Sequence, residues 1–84
     1  MSVEQSVCNL IGDVLSLGLR TRELNRATEL LGALPELDSM AVASLLTAIE
    51  EHFDILIEDD EISAEIFIDV GSLSDFIEGK INGK

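Results

Sequence analysis

Apolar residues near the start of the chain recur at spacings of three and four. Val3, Val7, Leu10, Ile11, Val14 and Leu17 fall on one face of a helix predicted over residues 3–17. Ser2 and Gln5 have the spacing of a capping box at its start, and Gly18 suits its end. Residues 19–38 keep no sustained period. Leu24, Ala27, Leu30 and Leu31 allow a turn or two of helix there, and Gly32 and Pro35 then break it. The clearest amphipathic run begins at Ser39 and ends near Phe53, with Val42, Leu45, Leu46, Ile49 and Phe53 on its buried side. A short third helix is expected over residues 62–66, capped by Asp59 or Asp60. A fourth is expected to begin after Ser72, whose spacing to Asp75 fits a capping box, and to bury Leu73, Phe76, Ile77 and Ile81. The run Ile55-Leu56-Ile57 alone is too short to imply a sheet. The pattern therefore predicts one all-α domain, a four-helix bundle with a long first loop and a short third helix.

Composition narrows the picture. Apolar residues make up 46% of the 84, with three Phe, no Trp and no Tyr, so the core is aliphatic. A single cysteine, Cys8, cannot form an internal disulfide and lies beside the buried stripe of the first helix, where a packing role is expected. No apolar run approaches the roughly 20 residues that span a bilayer, and the first residues carry Glu4 rather than a basic start. The expectation is a cytoplasmic monomer without membrane insertion.

Charge excludes more. The net charge is -12, and residues 27–79 hold 14 carboxylates and no Lys or Arg. Such a surface repels nucleic acid and favours encounter with basic protein patches. Self-repulsion on this scale is expected to raise carboxylate pKa values in the fold. The turn Glu58-Asp59-Asp60-Glu61 lacks the glycine of an EF-hand loop, since Ala64 occupies the sixth position counted from Asp59. No specific metal site is expected, only weak cation attraction.

One local feature carries candidate chemistry. Asp38 is a preferred N-cap, which sets Ser39 at the first helical position, exposed after a long connection. A phosphodiester built there would meet unsatisfied backbone N–H groups and the positive end of the helix dipole. Capping alone also explains an Asp-Ser pair. His52 cannot serve Ser39 as a base, because 13 positions on one helix separate them by about 20 Å.

Asp38-Ser39-Met40, the helix ending Ile49-Glu50-Glu51-His52-Phe53-Asp54, the acidic turn that follows Ile57, and the run from Phe67 to Ile77 together resemble the acyl carrier protein family. That resemblance implies a carrier rather than an enzyme, with 4'-phosphopantetheine from coenzyme A attached at Ser39 by a phosphopantetheinyl transferase. It further implies acyl thioester cargo delivered to ligases, acyltransferases or synthases that bear basic patches. Residues 31–40 look similar to carriers associated with bacterial exosortase and extracellular polysaccharide loci. The family usually places carboxylates soon after the serine, whereas this chain has Ala41 and Ser44 and an uncharged ridge of Met40, Ala43 and Thr47. A dedicated pathway is therefore expected, with Met40, Ala43, Thr47, Glu50 and Glu51 as the partner-binding surface. Val42, Leu46 and Ile49, facing Ile62 and Ile66, are expected to line an acyl crevice. The alternatives are a peptidyl or aminoacyl carrier, which shares the arm, and an unmodified acidic interaction module, which does not need Ser39 as an acceptor.

Overall fold

The computed structural model describes residues 2–30 and 38–83. Helix α1, Val3–Val14, starts at Ser2, whose hydroxyl accepts from Gln5 N at 3.1 Å. The Gln5 side chain donates onward to Asn9 Oδ1 at 3.4 Å, so only the forward half of the expected capping box is in place. The helix ends sooner than the apolar period suggested, since Ser16 and Gly18 take left-handed backbone angles with φ of 55° and 60°. Leu15 and Leu17 nevertheless reach the core. Periodicity reported which side chains face inward, not where the backbone stops being helical.

The long first connection has structure of its own. A 3-10 segment, Gly18–Glu23, lies against α1 at Gly12, where an added Cβ would stand 2.2 Å from Thr21 Oγ1. No helix forms around Ala27 and Leu30. Instead the Asn25 side chain turns the backbone by accepting from Ala27 N at 2.8 Å, and residues 26–30 run beside the start of the last helix. Gly71 N donates to Arg26 O, Val70 N to Thr28 O and Leu30 N to Ile68 O, at 2.9, 2.9 and 3.1 Å. These contacts carry Leu30 into the core at 1% exposure. Leu31 lies outside the described residues, as do Gly32 and Pro35.

Helix α2, Ser39–Phe53, has the predicted bounds. Asp54 ends it in the left-handed conformation, and the chain continues extended, with Ile55 and Ile57 buried and Leu56 exposed. The short third helix forms as 3-10 structure rather than as an α-helix over residues 62–66: a turn at Asp59–Glu61, then Ala64–Phe67. Glu58, not Asp59 or Asp60, caps the first turn through a capping box with Glu61, and Ile62 and Ser63 are extended between the two. Helix α3, Val70–Asn82, begins before Ser72, because Asp69 is the cap and its carboxylate accepts from Ser72 N at 2.7 Å. With Val70 N and Gly71 N already bonded to Thr28 and Arg26, three of the first amides of α3 have partners, as a partly buried helix start requires.

Helix α1 packs against both α2 and α3, and the 3-10 turn Ala64–Phe67 packs on α3. Val7, Ile11, Leu45, Ile49, Val70, Leu73 and Ile77 are fully buried between them. Cys8 is buried in the same core, as expected of a packing residue. Among the described residues no helix is long and apolar enough to cross a membrane.

Candidate functional site

The site begins with the cap of α2. Asp38 is extended, with φ -103° and ψ -175°, and its Oδ1 accepts from Ala41 N at 2.8 Å while its backbone carbonyl accepts from Val42 N at 2.9 Å. Ser39 follows as the first helical residue and is exposed. In an α-helix the amides at this position have no intrahelical acceptor, so the hydroxyl stands beside donors and the positive end of the helix. An anionic group attached to Ser39 Oγ fits that setting.

Helical geometry then sorts the remaining site residues. Val42 and Leu46 lie one and two turns below Ser39 on its inner side, both half-buried. Met40, Ala43, Thr47 and Glu51 share the outer side and are all exposed, Met40 at 81%. The Thr47 hydroxyl donates to Ala43 O at 3.1 Å. Glu50 differs from Glu51: it is half-buried, and its Oε2 accepts from Ile57 N at 2.8 Å, fixing the extended segment after the helix. The sequence offered no sign of this use, because the bond reaches past the end of the helix to a residue with no helical relation to Glu50.

Ile62 and Ile66 are half-buried and pack against the core, whereas Ile49 is fully buried within it. The segment carrying the two isoleucines is held on one side by Lys80, which donates to Glu61 Oε1 and Oε2 at 2.6 and 2.9 Å. The same Glu61 accepts from Glu58 N at 2.9 Å. These bonds, Lys80 first, hold its carboxyl below the usual carboxylate range. On the other side, bonds from the amide and hydroxyl of Ser72 lower the Asp69 carboxyl, with a contribution from the charge of Arg26.

Arg26 was given no role by the sequence pattern. Its guanidinium bonds Asp75 at 2.5 Å and approaches Glu4 at 3.6 Å, joining α3 to α1 and raising its own pKa, Asp75 having the larger part. An added Cβ on Gly71 would meet Arg26 Cγ at 2.7 Å, so Gly71 is what lets this residue lie on α3.

Little else offers chemistry. Burial, and after it the charge of Glu4, pushes the Cys8 thiol up, away from the reactive thiolate. His52 is exposed and stacks edge-on to Phe53 at 4.8 Å, at the far end of α2 from Ser39. Among the described residues no group of His, Cys, Asp and Glu is arranged to hold a metal.

No protein-family model matches the chain, and a search of curated proteins finds no match. Among solved structures the chain is similar to a holo acyl carrier protein from Nitrosomonas europaea, determined in solution by nuclear magnetic resonance. The two are 50% identical, the match covers 98% of this chain and 99% of that one, and the TM-score is 0.90.

Proposed function

Because the chain belongs to the acyl carrier protein family, we propose that its Ser39 hydroxyl accepts a 4'-phosphopantetheine group from coenzyme A. It is a carrier and not an enzyme. The observation that supports this assignment best is the placement of Ser39: exposed, at the first position of α2, with Asp38 holding the helix start in shape. When bound, the group supplies a terminal thiol on which acyl cargo is held as a thioester. The protein's own residues do the rest. Asp38 orders the turn around the acceptor oxygen, the free amides of the first turn stabilise the phosphodiester, and Val42, Leu46, Ile62 and Ile66 offer an apolar crevice to the cargo, with Ile49 beneath. Met40, Ala43, Thr47 and Glu51, with Glu50 at their flank, form the surface that meets partner enzymes.

Those partners are a phosphopantetheinyl transferase and acyl ligases, acyltransferases or synthases. The uncharged start of α2 favours a dedicated pathway, of the polysaccharide-associated kind that residues 31–40 resemble, over general fatty-acid synthesis. We place the single carrier domain, residues 1–84, in the cytoplasm as a monomer. The test is incubation of the purified chain with coenzyme A and a broad-specificity phosphopantetheinyl transferase, followed by intact-mass measurement. One phosphopantetheine is expected on the natural chain and none on Ser39→Ala, which keeps its fold. An unmodified natural chain would mark an acidic interaction module, and modification that survives Ser39→Ala would refute the site.

A further inference from the structure

A cleft of about 420 Å³ opens beyond the far end of α2. It lies between the extended segment after α2 and the last turns of α3, with Ile55, Leu56 and Glu58 on one side and Gly79, Lys80 and Gly83 on the other. Hydrogen bonds hold its walls in place. Ile55 N donates to Glu50 O at 3.1 Å and Ile57 N to Glu50 Oε2 at 2.8 Å, while Lys80 ties α3 to Glu61 at 2.6 and 2.9 Å. The whole of α2, 15 residues or about 22 Å of helix, separates the cleft from Ser39.

Two features of the lining have no use in the fold. Leu56 is 67% exposed, although Ile55 and Ile57 on either side of it are buried. Gly79 stands inside α3, and a Cβ added to it would meet nothing within 4 Å. Alanine there would favour the helix and displace no neighbour, so folding gives no reason for the glycine. What it leaves is bare backbone across the cleft from an exposed leucine, where another chain can approach closely.

The surroundings of the cleft select what can enter it. Residues 50–61 carry seven carboxylates and no Lys or Arg. Glu58 is exposed on the lining itself, and Lys80, the cation beside it, is bonded to both oxygens of Glu61. A second copy of the chain would bring its own charge of -12 against this rim, and an anionic lipid surface would be repelled by it. A basic protein segment is attracted by the rim and can bury an apolar side chain in the cleft.

We propose that this cleft is a docking surface separate from α2, and that it takes a basic protein segment bearing one large apolar side chain. That side chain enters between Leu56 and Gly79, and the Lys or Arg residues flanking it meet Glu58 and its acidic neighbours. The partner so held leaves Ser39, at the other end of α2, open to enzymes that act there. Docking at the cleft does not depend on Ser39 being modified.

The probe is a pentapeptide with Leu between two pairs of lysines, its ends acetylated and amidated, and its control has Ala in place of Leu. Each is titrated into the unmodified chain at about 0.15 M NaCl and followed by amide resonances. The Leu peptide should shift Leu56, Gly79 and Gly83 and bind about tenfold more tightly than the Ala peptide. Gly79→Leu, which fills the cleft, and Leu56→Ser, which removes an apolar wall, should each weaken the Leu peptide to the level of its control. Circular dichroism checks that both variants are folded, which the exposure of the two positions favours. Equal affinity for the two peptides, or undiminished binding of the Leu peptide to Gly79→Leu, reduces the attraction to charge alone and overturns the proposal. Shifts at the same residues on concentrating the chain by itself also overturn it, by assigning the cleft to a second copy. Gly79→Leu should still accept phosphopantetheine within about twofold of the natural rate, and a tenfold loss would show that the cleft and Ser39 are not separate. A natural chain that is not modified at all sinks the carrier reading and leaves the peptide result standing.

Discussion

Ser74 offers the sharpest test of how the bundle is held together. It lies on the inner face of α3 with Val70, Leu73 and Ile77, is fully buried, and its hydroxyl has no hydrogen-bond partner among the described residues. A buried hydroxyl left unsatisfied costs about 1–3 kcal/mol relative to one in water. Replacing it with Ala removes that cost and gains up to about 0.5 kcal/mol of helix propensity. The loss is the packing of one oxygen atom, a small void inside the fold. Ser74→Ala should therefore stabilise the fold by about 1 kcal/mol, which for a domain of this size raises Tm by about 4–8 °C. Thermal melts by circular dichroism and urea titration measure it, with an unchanged m-value confirming that the stability and not the unfolded state has moved. Ser74→Thr keeps the hydroxyl and adds a methyl to a filled site, so it should destabilise. A Tm that falls on Ser74→Ala would show that the hydroxyl is satisfied in solution and that the reasoning is wrong.

Three further outcomes follow from contacts described above. Gly12→Ala forces its methyl into Thr21 and should cost about 1–3 kcal/mol, and Thr21→Ala in the same chain should recover much of it, a coupling that a double-mutant cycle detects. Glu61 and Asp69 have folded-state pKa values below their ordinary ones, so the stability they contribute is fully present above the usual carboxylate range and is lost as pH falls through the lower folded values. The urea midpoint should fall on acidification below about pH 4, and Glu61→Gln should flatten part of that decline; a midpoint that rises instead would show that carboxylate repulsion dominates. Acylating the modified protein should shift the amide resonances of Val42, Leu46, Ile62 and Ile66 more than those of Met40 and Ala43, and shifts confined to the neighbourhood of Ser39 would leave the cargo in solvent.

At Glu61 and Asp69 the displacement runs opposite to the expectation drawn from charge alone, at Glu61 because Lys80 bonds it and at Asp69 chiefly because Ser72 does. Residues 27–79 contain no cation, and repulsion was expected to raise their carboxylates. The cations immediately outside that stretch fold back onto it: Arg26 reaches Asp75, and Lys80 reaches Glu61. Counting charge along the chain missed this because the pairing partners are 49 and 19 residues apart. For the same reason α2 was legible throughout and the start of α3 was not. In α2 the cap, the period and the stop are all local, and each agrees with the others. At α3 the spacing of Ser72 and Asp75 imitates a capping box, but the helix starts at Val70 because the carbonyls of Thr28 and Arg26 accept its first amides and Asp69 accepts the next useful one. Only the folded first connection supplies those acceptors.

The same long-range bonds fix the ends of the segment that precedes α3. The first connection is fixed to α3 at residues 26–30, and the chain between the 3-10 turn Asp59–Glu61 and α3 is fixed at both ends, by Glu61 on Lys80 and by Ile68 on Leu30. Between those fixed points lie Ile62 and Ile66, half-buried, on extended and 3-10 backbone rather than on a continuous α-helix. A displacement of this segment can therefore stay within a few residues and leave the α1 contacts with α2 and α3 intact. A full third α-helix would carry its own backbone ladder and would have to move as a unit. The 3-10 geometry that the apolar period failed to predict thus leaves few hydrogen bonds at stake in a local displacement of Ile62 and Ile66.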